Sequence, residues 1–201
     1  MMGGFIWDWV DQSRITEYTK SGTWNYYDDE NAHKSLYADK MDGKYFGYGD
    51  DWGGKQKDSN FCINGLVSPD RDVQPELYEV KYVYQHFRMN ENDKHSVSIY
   101  NESNFTNLNE YDCKWELTEN GTVIDSGVIN ESIEPNETKT VNIPYTLDNL
   151  TAGSEYFLNI TVTLKEDTDF RNAGHEIAHE QFDLTDEIIK AAYDNGFWEL
   201  K

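Results

Sequence analysis

The feature that most constrains this fold is an alternation of apolar and polar residues that begins near residue 95. A period of two is typical of antiparallel strands with one buried and one solvent-facing side. Asn120-Gly121, between two alternating runs, indicates a tight hairpin. Six or seven such strands predict an all-β sandwich with Trp115 in its core. The apolar positions are Val97 and Ile99; Cys113, Trp115 and Leu117; Val141, Ile143 and Tyr145; and Tyr156, Leu158, Ile160, Val162 and Leu164.

The beginning of the chain has a different pattern. Residues 3–12, GGFIWDWVDQ, form an apolar and aromatic run that predicts a buried strand, with Asp8 and Asp11 towards its polar end. Residues 13–72 are rich in Gly, Asp, Asn and Tyr and show little periodicity. An irregular stretch of this length indicates either a functional loop or a misassigned element.

Two helices are expected. Pro75 suits the first turn of one helix. A short helix is predicted over residues 187–193, and Asn195-Gly196 would close it. In the first helix, Leu77, Val80, Lys81 and Tyr84 share one face.

Charge and cysteine content limit the partners and the compartment. The chain has 38 Asp and Glu residues against 17 Lys and Arg, a formal net charge of -21. Such a surface repels phosphate, so nucleic acid and anionic membranes are poor partners. No apolar run reaches the roughly 18 residues of a membrane-spanning helix, and the first residues lack a basic signal-peptide start. Cys62 and Cys113 are far apart, which favours reduced thiols and a cytoplasmic location.

Three segments carry a specific resemblance, in a fixed order that spans nearly the whole chain. They are GGFIWDWVDQS at residues 3–13, YGDDWGGKQKDSNFCINGLVSPDRDVQPELYEVKYVYQ at residues 48–85, and AGHEIAHEQFDL at residues 173–184. They resemble the lactose-cleaving β-galactosidases of glycoside hydrolase family 2. The most specific parts are GGFIWDWVDQ and FCINGLV followed by PDR.

The resemblance implies a mixed fold. Residues 1–87 would be the C-terminal part of a catalytic TIM barrel: its last strand over 3–9, a long loop over 10–72 and its last helix over 75–87. Residues 88–184 would be an immunoglobulin-like β-sandwich, and residues 185–201 a linker or the start of another domain. Active sites of such barrels lie at the C-terminal ends of strands and in the loops that follow, which would explain the long irregular stretch.

The same resemblance implies part of a substrate site. Trp7 matches a tryptophan that forms a wall of the galactose pocket, whereas we assign Trp9 to the core. Phe61, through its backbone carbonyl, and Asn64, through its side-chain oxygen, match ligands of a sodium ion that contacts the sugar 6-hydroxyl. Asp58 is expected to order this loop.

Hydrolysis with retention needs two carboxyl groups about 5 Å apart, and Asp8 and Asp11 are the tempting pair. The resemblance instead places both catalytic glutamates and the magnesium ligands upstream of Gly3. We therefore interpret Asp8 and Asp11 as structural residues near the site and expect no catalytic residue and no hydrolase activity in this chain alone. Its partners would be a galactoside and the upstream part of an enzyme that is homo-oligomeric when intact.

Two alternatives stay open. One is a structural module in which the sandwich bridges domains without catalysis. The other is a zinc peptidase, because His175-Glu176-Ile177-Ala178-His179 fits the H-E-x-x-H pattern and Glu199 could add a third ligand. That pattern requires a helix, whereas the resemblance predicts the last sandwich strand here.

Overall fold

The computed structural model describes residues 3–17, 44–48, 63–146, 151, 153–186 and 188. The chain divides into two compact units, Met1–Lys81 and Tyr82–Lys201. The sequence placed the domain boundary after residue 87. Among the described residues, no helix combines the length and apolar character needed to cross a membrane.

Where it is described, the first unit contains one small sheet and most of one helix. Strand β1, Arg14–Glu17, pairs antiparallel with β2, Lys44–Gly47. Helix α1, Pro75–Val83, begins at the predicted proline. It ends before the predicted residue 87 because Phe87 already starts the next strand.

The buried strand expected over residues 3–12 does not form in this structure. Residues 3–9 have no strand pairing, and Val10 makes a single parallel bridge to Val67. Phe5 is fully exposed, and Trp9, which was assigned to the core, is 51% exposed. The physical reason is that a barrel strand is held by neighbouring strands on both edges. Of the described residues, only those around Val67 pair with this segment.

In its described residues, the second unit is a sandwich of seven antiparallel strands, which confirms the immunoglobulin-like prediction. The strands are β3 Phe87–Asp93, β4 Ser96–Asn101, β5 Tyr111–Glu119, β6 Thr122–Val128, β7 Thr138–Asn142, β8 Tyr156–Leu164 and β9 Glu176–Asp183. One sheet has the order β3-β4-β7 and the other the order β6-β5-β8-β9. A short 3-10 helix, Leu108–Glu110, precedes β5.

The alternation seen in the sequence forms the core between these sheets. Every apolar position of the alternating runs is buried except Leu164, which is half-buried. The prediction that Trp115 anchors the core is confirmed: its ring is buried on β5, with its centroid 6.3 Å from that of Tyr145. Cys113 is buried as a free thiol, and burial raises its pKa to about 12.

The predicted hairpin is present between β5 and β6. Asn120 and Gly121 both have positive φ, 48° and 79°, as a type I′ turn requires. The short helix predicted over residues 187–193 lies almost entirely outside the described residues. Within them, the Ile188 amide donates to the Leu184 carbonyl, which makes one helical turn.

Candidate functional site

The candidate site residues of the first unit fall into two groups. Trp7, Asp8, Asp11 and Asn64 are described, whereas Asp58 and Phe61 lie outside the described residues. Trp7 is 79% exposed and Asn64 is also exposed, so both side chains are open to solvent. The two aspartates, by contrast, are buried.

A short parallel pairing brings two distant segments of this unit together. The Trp9 carbonyl accepts hydrogen bonds from the amides of Leu66, 3.1 Å, and Val67, 3.0 Å. The Asp11 amide donates to the Val67 carbonyl over 2.9 Å. In the bridged pair Val10–Val67, each residue lies three positions after a candidate residue, Trp7 on one segment and Asn64 on the other. Because the two segments run parallel, Trp7 and Asn64 both lie just before the N-terminal end of the pairing.

The Asp11 side chain ties the two segments together a second time. One carboxylate oxygen accepts from the Gly65 amide over 2.7 Å, and the other accepts from the Gln74 side chain over 3.3 Å. Asp11 is 5% exposed, and Gly65 follows Asn64 directly. We call this set of residues, Asp11 with Gly65 and Gln74, the Asp11 clamp.

Asp8 is held by a separate group of side chains. Its carboxylate accepts from the Gln12 side-chain amide over 2.8 Å, and the Gln12 carbonyl oxygen accepts from the Tyr48 hydroxyl over 3.2 Å. Asp8 and Asp11 thus hydrogen-bond to different groups, and each is engaged in holding backbone or loop segments. The sequence analysis did not identify Gln12 and Tyr48 as members of this group. A glutamine four residues after an aspartate, and a tyrosine far along the chain, form no pattern that predicts these hydrogen bonds.

The chain between Gly65 and α1 folds back through a tight turn. The Arg71 amide donates to the Ser68 carbonyl over 2.9 Å, and Arg71 has a positive φ of 73°. The Gln74 amide donates to the Leu66 carbonyl over 3.0 Å. This turn returns Gln74 to the pairing and so supplies the second partner of Asp11.

The H-E-x-x-H segment is a strand, as the resemblance predicted. Glu176–Asp183 form β9, and the His179 ring is 3.1 Å from the Glu176 carboxylate. His175 lies in the turn that precedes the strand. The zinc peptidase alternative is wrong, because the motif binds zinc through two histidines one helical turn apart and this backbone is extended.

Comparisons with known proteins agree with both units. Residues 1–89 match the family described as "Glycosyl hydrolases family 2, TIM barrel domain", and residues 97–185 match the family described as "Beta-galactosidase, domain 4". The chain belongs to the glycoside hydrolase family 2 β-galactosidases. The assignment confirms the mixed fold of a barrel end followed by a sandwich.

Curated β-galactosidases show how much of the family's length this segment represents. One from Pseudoalteromonas haloplanktis is 34% identical over 194 residues, which cover 92% of this chain and 16% of that relative. One from Alteromonas mediterranea is 35% identical, with the same coverage of both chains. One from Clostridium acetobutylicum is 33% identical over 89% of this chain and 17% of its own length. The chain therefore spans about a sixth of the β-galactosidases it matches.

Proposed function

We propose that this chain supplies part of the galactose site and part of the sodium site of a retaining β-galactosidase. The observation that carries the proposal is the placement of Trp7 and Asn64. They come from distant segments, are both exposed, and precede the same end of one parallel pairing.

The two side chains suit complementary parts of a sugar site. The Trp7 indole offers an apolar face that can stack on the C–H face of a galactose ring. The Asn64 side-chain oxygen is a hard ligand of the kind that Na⁺ prefers over sulfur or nitrogen. In this proposal the Phe61 carbonyl is a second sodium ligand, and Asp58 orders the loop that carries both. The substrate is a terminal β-D-galactoside such as lactose.

Catalysis itself is assigned to other parts of the enzyme. A retaining glycosidase needs two free carboxyl groups about 5 to 5.5 Å apart. Asp8 and Asp11 are buried and accept hydrogen bonds from Gln12, Gly65 and Gln74, so they act as structural groups in this proposal. The catalytic glutamates and the magnesium ligands would come from the polypeptide upstream of Gly3.

The proposal also covers assembly and location. The partner of this chain is the upstream part of the enzyme, which completes the barrel, and the intact enzyme is a homo-oligomer. The location is the cytoplasm, where the free thiol of buried Cys113 would stay reduced.

A chromogenic galactoside assay tests the assignment in two forms. The isolated chain is expected to show no turnover, because it contributes no catalytic carboxyl pair. A chimera in which this chain replaces the matching segment of the Pseudoalteromonas haloplanktis β-galactosidase is expected to be active. Turnover by the isolated chain that a galactosidase inhibitor abolishes would contradict the proposal.

Variants of the chimera separate the two proposed roles. Trp7→Ala is expected to raise KM for the galactoside, and Asn64→Ala to raise the sodium concentration needed for half-maximal activity. Phe105→Ala is the control, because Phe105 is 94% exposed on the sandwich, which has no role in the proposed site. An Asn64→Ala chimera with an unchanged sodium response would argue against the sodium assignment.

A purely structural role is the second candidate. It is favoured by the position of the hydrophobic core, whose described buried residues all belong to the sandwich unit. In that case the sandwich supports neighbouring domains and the first unit only completes a scaffold. Unchanged kinetics in both the Trp7→Ala and the Asn64→Ala chimeras would favour this reading.

A further inference from the structure

We propose that Asp11 is a positioning residue for the sodium site: its buried carboxylate fixes the Gly65 amide and thereby sets the place of the Asn64 side chain. This inference rests on the proposed function of Asn64 and adds a residue that does not itself contact sugar or sodium. The observations that lead to it are the hydrogen bonds and the close packing of the Asp11 clamp.

The hydrogen-bond geometry shows what the carboxylate adds to the backbone pairing. Among the described residues, backbone hydrogen bonds from Trp9 and Asp11 reach only Leu66 and Val67. The next attachment towards Asn64 is the 2.7 Å bond from the Gly65 amide to the Asp11 carboxylate, a charge-assisted bond of the stronger class. Among the described contacts, this bond is therefore the last that holds the chain before Asn64.

The second carboxylate oxygen keeps the Asp11 side chain in place. It accepts from Gln74 over 3.3 Å, and Asp11 is 5% exposed, so the carboxylate is enclosed rather than free to rotate into solvent. The Gln74 backbone is itself tied to the Leu66 carbonyl over 3.0 Å. The Asp11 carboxylate that accepts from Gly65 is thus itself held in place by Gln74 through its other oxygen.

Gly65 is required by the closeness of this contact. A Cβ atom at this position would come within 2.6 Å of the Asp11 amide nitrogen and 2.9 Å of the Val10 carbonyl carbon. Real Cβ atoms essentially never approach backbone so closely. Any larger residue would push the loop away from Asp11 and carry Asn64 with it.

Amide hydrogen exchange of the active chimera, followed by mass spectrometry of peptides that span Gly65, tests the clamp directly. Asp11→Ala is expected to speed exchange at Gly65 because the amide loses its acceptor. Asp11→Asn is expected to keep exchange slow, since its side-chain oxygen can still accept from Gly65 while its NH₂ donates to the Gln74 oxygen. Asp8→Ala is the matched control, another buried aspartate with different partners. Equal Gly65 exchange in wild type and Asp11→Ala would overturn the proposal.

Sodium titration of the active chimera tests the consequence for the site. Partners that orient a metal ligand commonly change metal affinity by 10- to 100-fold, so Asp11→Ala is expected to raise the half-saturating sodium concentration roughly tenfold. At saturating sodium, kcat should return close to the wild-type value, and Asp11→Asn should resemble wild type throughout. A merely structural role would lower kcat at every sodium concentration.

The outcomes distinguish the clamp from the function on which it rests. If Asn64→Ala shifts the sodium response and Asp11→Ala does not, the clamp is refuted and the proposed sodium ligand stands. If neither variant shifts it, the sodium assignment of the segment fails, and the positioning role fails with it. A shift in both, with Asp11→Asn restoring the response, supports both.

Discussion

Gly127 on β6 shows how one residue fixes the packing of the sandwich core. A Cβ atom there would lie 2.6 Å from the Nε1 atom of Trp115 and within 2.9 Å of two further indole atoms. Trp115 is buried, so its ring cannot swing away. Gly127→Ala is therefore expected to reduce the free energy of unfolding by about 1–3 kcal/mol through overpacking, measured by urea denaturation. In a Trp115→Phe background the same change should cost less, because the smaller ring leaves room for the methyl group; an equal cost in both backgrounds would exclude the clash.

The sequence predicted the apolar residues of this core better than its polar ones. Period-two alternation identifies apolar positions without any knowledge of their partners, and nearly all of them are buried. Asn101 is also fully buried, because its side-chain amide donates to the carbonyls of Thr106 and Ile133. Tyr156 begins β8 with its hydroxyl accepting from the Thr151 amide, a tyrosine corner typical of this fold. Such roles depend on loop backbone that is fixed only in three dimensions, so alternation alone cannot reveal them.

At the scale of whole elements, the hairpin was predictable and the first strand was not. Asn120-Gly121 determines a turn through local backbone preference, and both residues have the required positive φ. The segment 3–12 carries an apolar strand signal, but strand formation depends on neighbours that pair with its edges. The Asp11 clamp escaped prediction for the same reason, since its partner Gly65 lies 54 residues away.

The end of β5 is expected to give the sandwich an acid-sensitive contact. Hydrogen bonds from Thr151, Ser154 and Tyr156 hold the pKa of Glu119 below its ordinary 4.5. Because the folded-state pKa is the lower one, this contribution to stability is present above pH 4.5 and is lost as pH falls through the folded-state value. Glu119→Gln should therefore lower the urea midpoint at neutral pH and approach wild type once the pH has fallen below the folded-state pKa of Glu119. Glu155→Gln, a neighbouring exposed carboxyl, is the control; a gap between wild type and Glu119→Gln that persists unchanged into acid would contradict the assignment.

At the scale of the whole molecule, stability is concentrated in the second unit. The main buried cluster has 20 described residues, from Phe87 to Ile188, and all of them lie in Tyr82–Lys201. In the described part of the first unit, the one buried apolar side chain is Val67. Burial of apolar surface is the dominant favourable term in folding, so the sandwich should unfold cooperatively, whereas the first unit has little to stabilise it by itself.

Limited trypsin digestion of the isolated chain tests this division. Arg14, Lys44 and Arg71 are exposed in the first unit and should be cut first, because local opening there requires little free energy. Lys114 and Lys139 are equally exposed side chains, but they lie within paired strands of the sandwich and should be cut only after global unfolding. Mass spectrometry should then show a resistant fragment that begins near Tyr82. A resistant fragment confined to residues 1–85 would mean that the first unit is the stable one. In the active chimera, completion of the barrel should slow cleavage at Arg14 and Arg71, because strands then pair along both edges of the segment that carries Trp7.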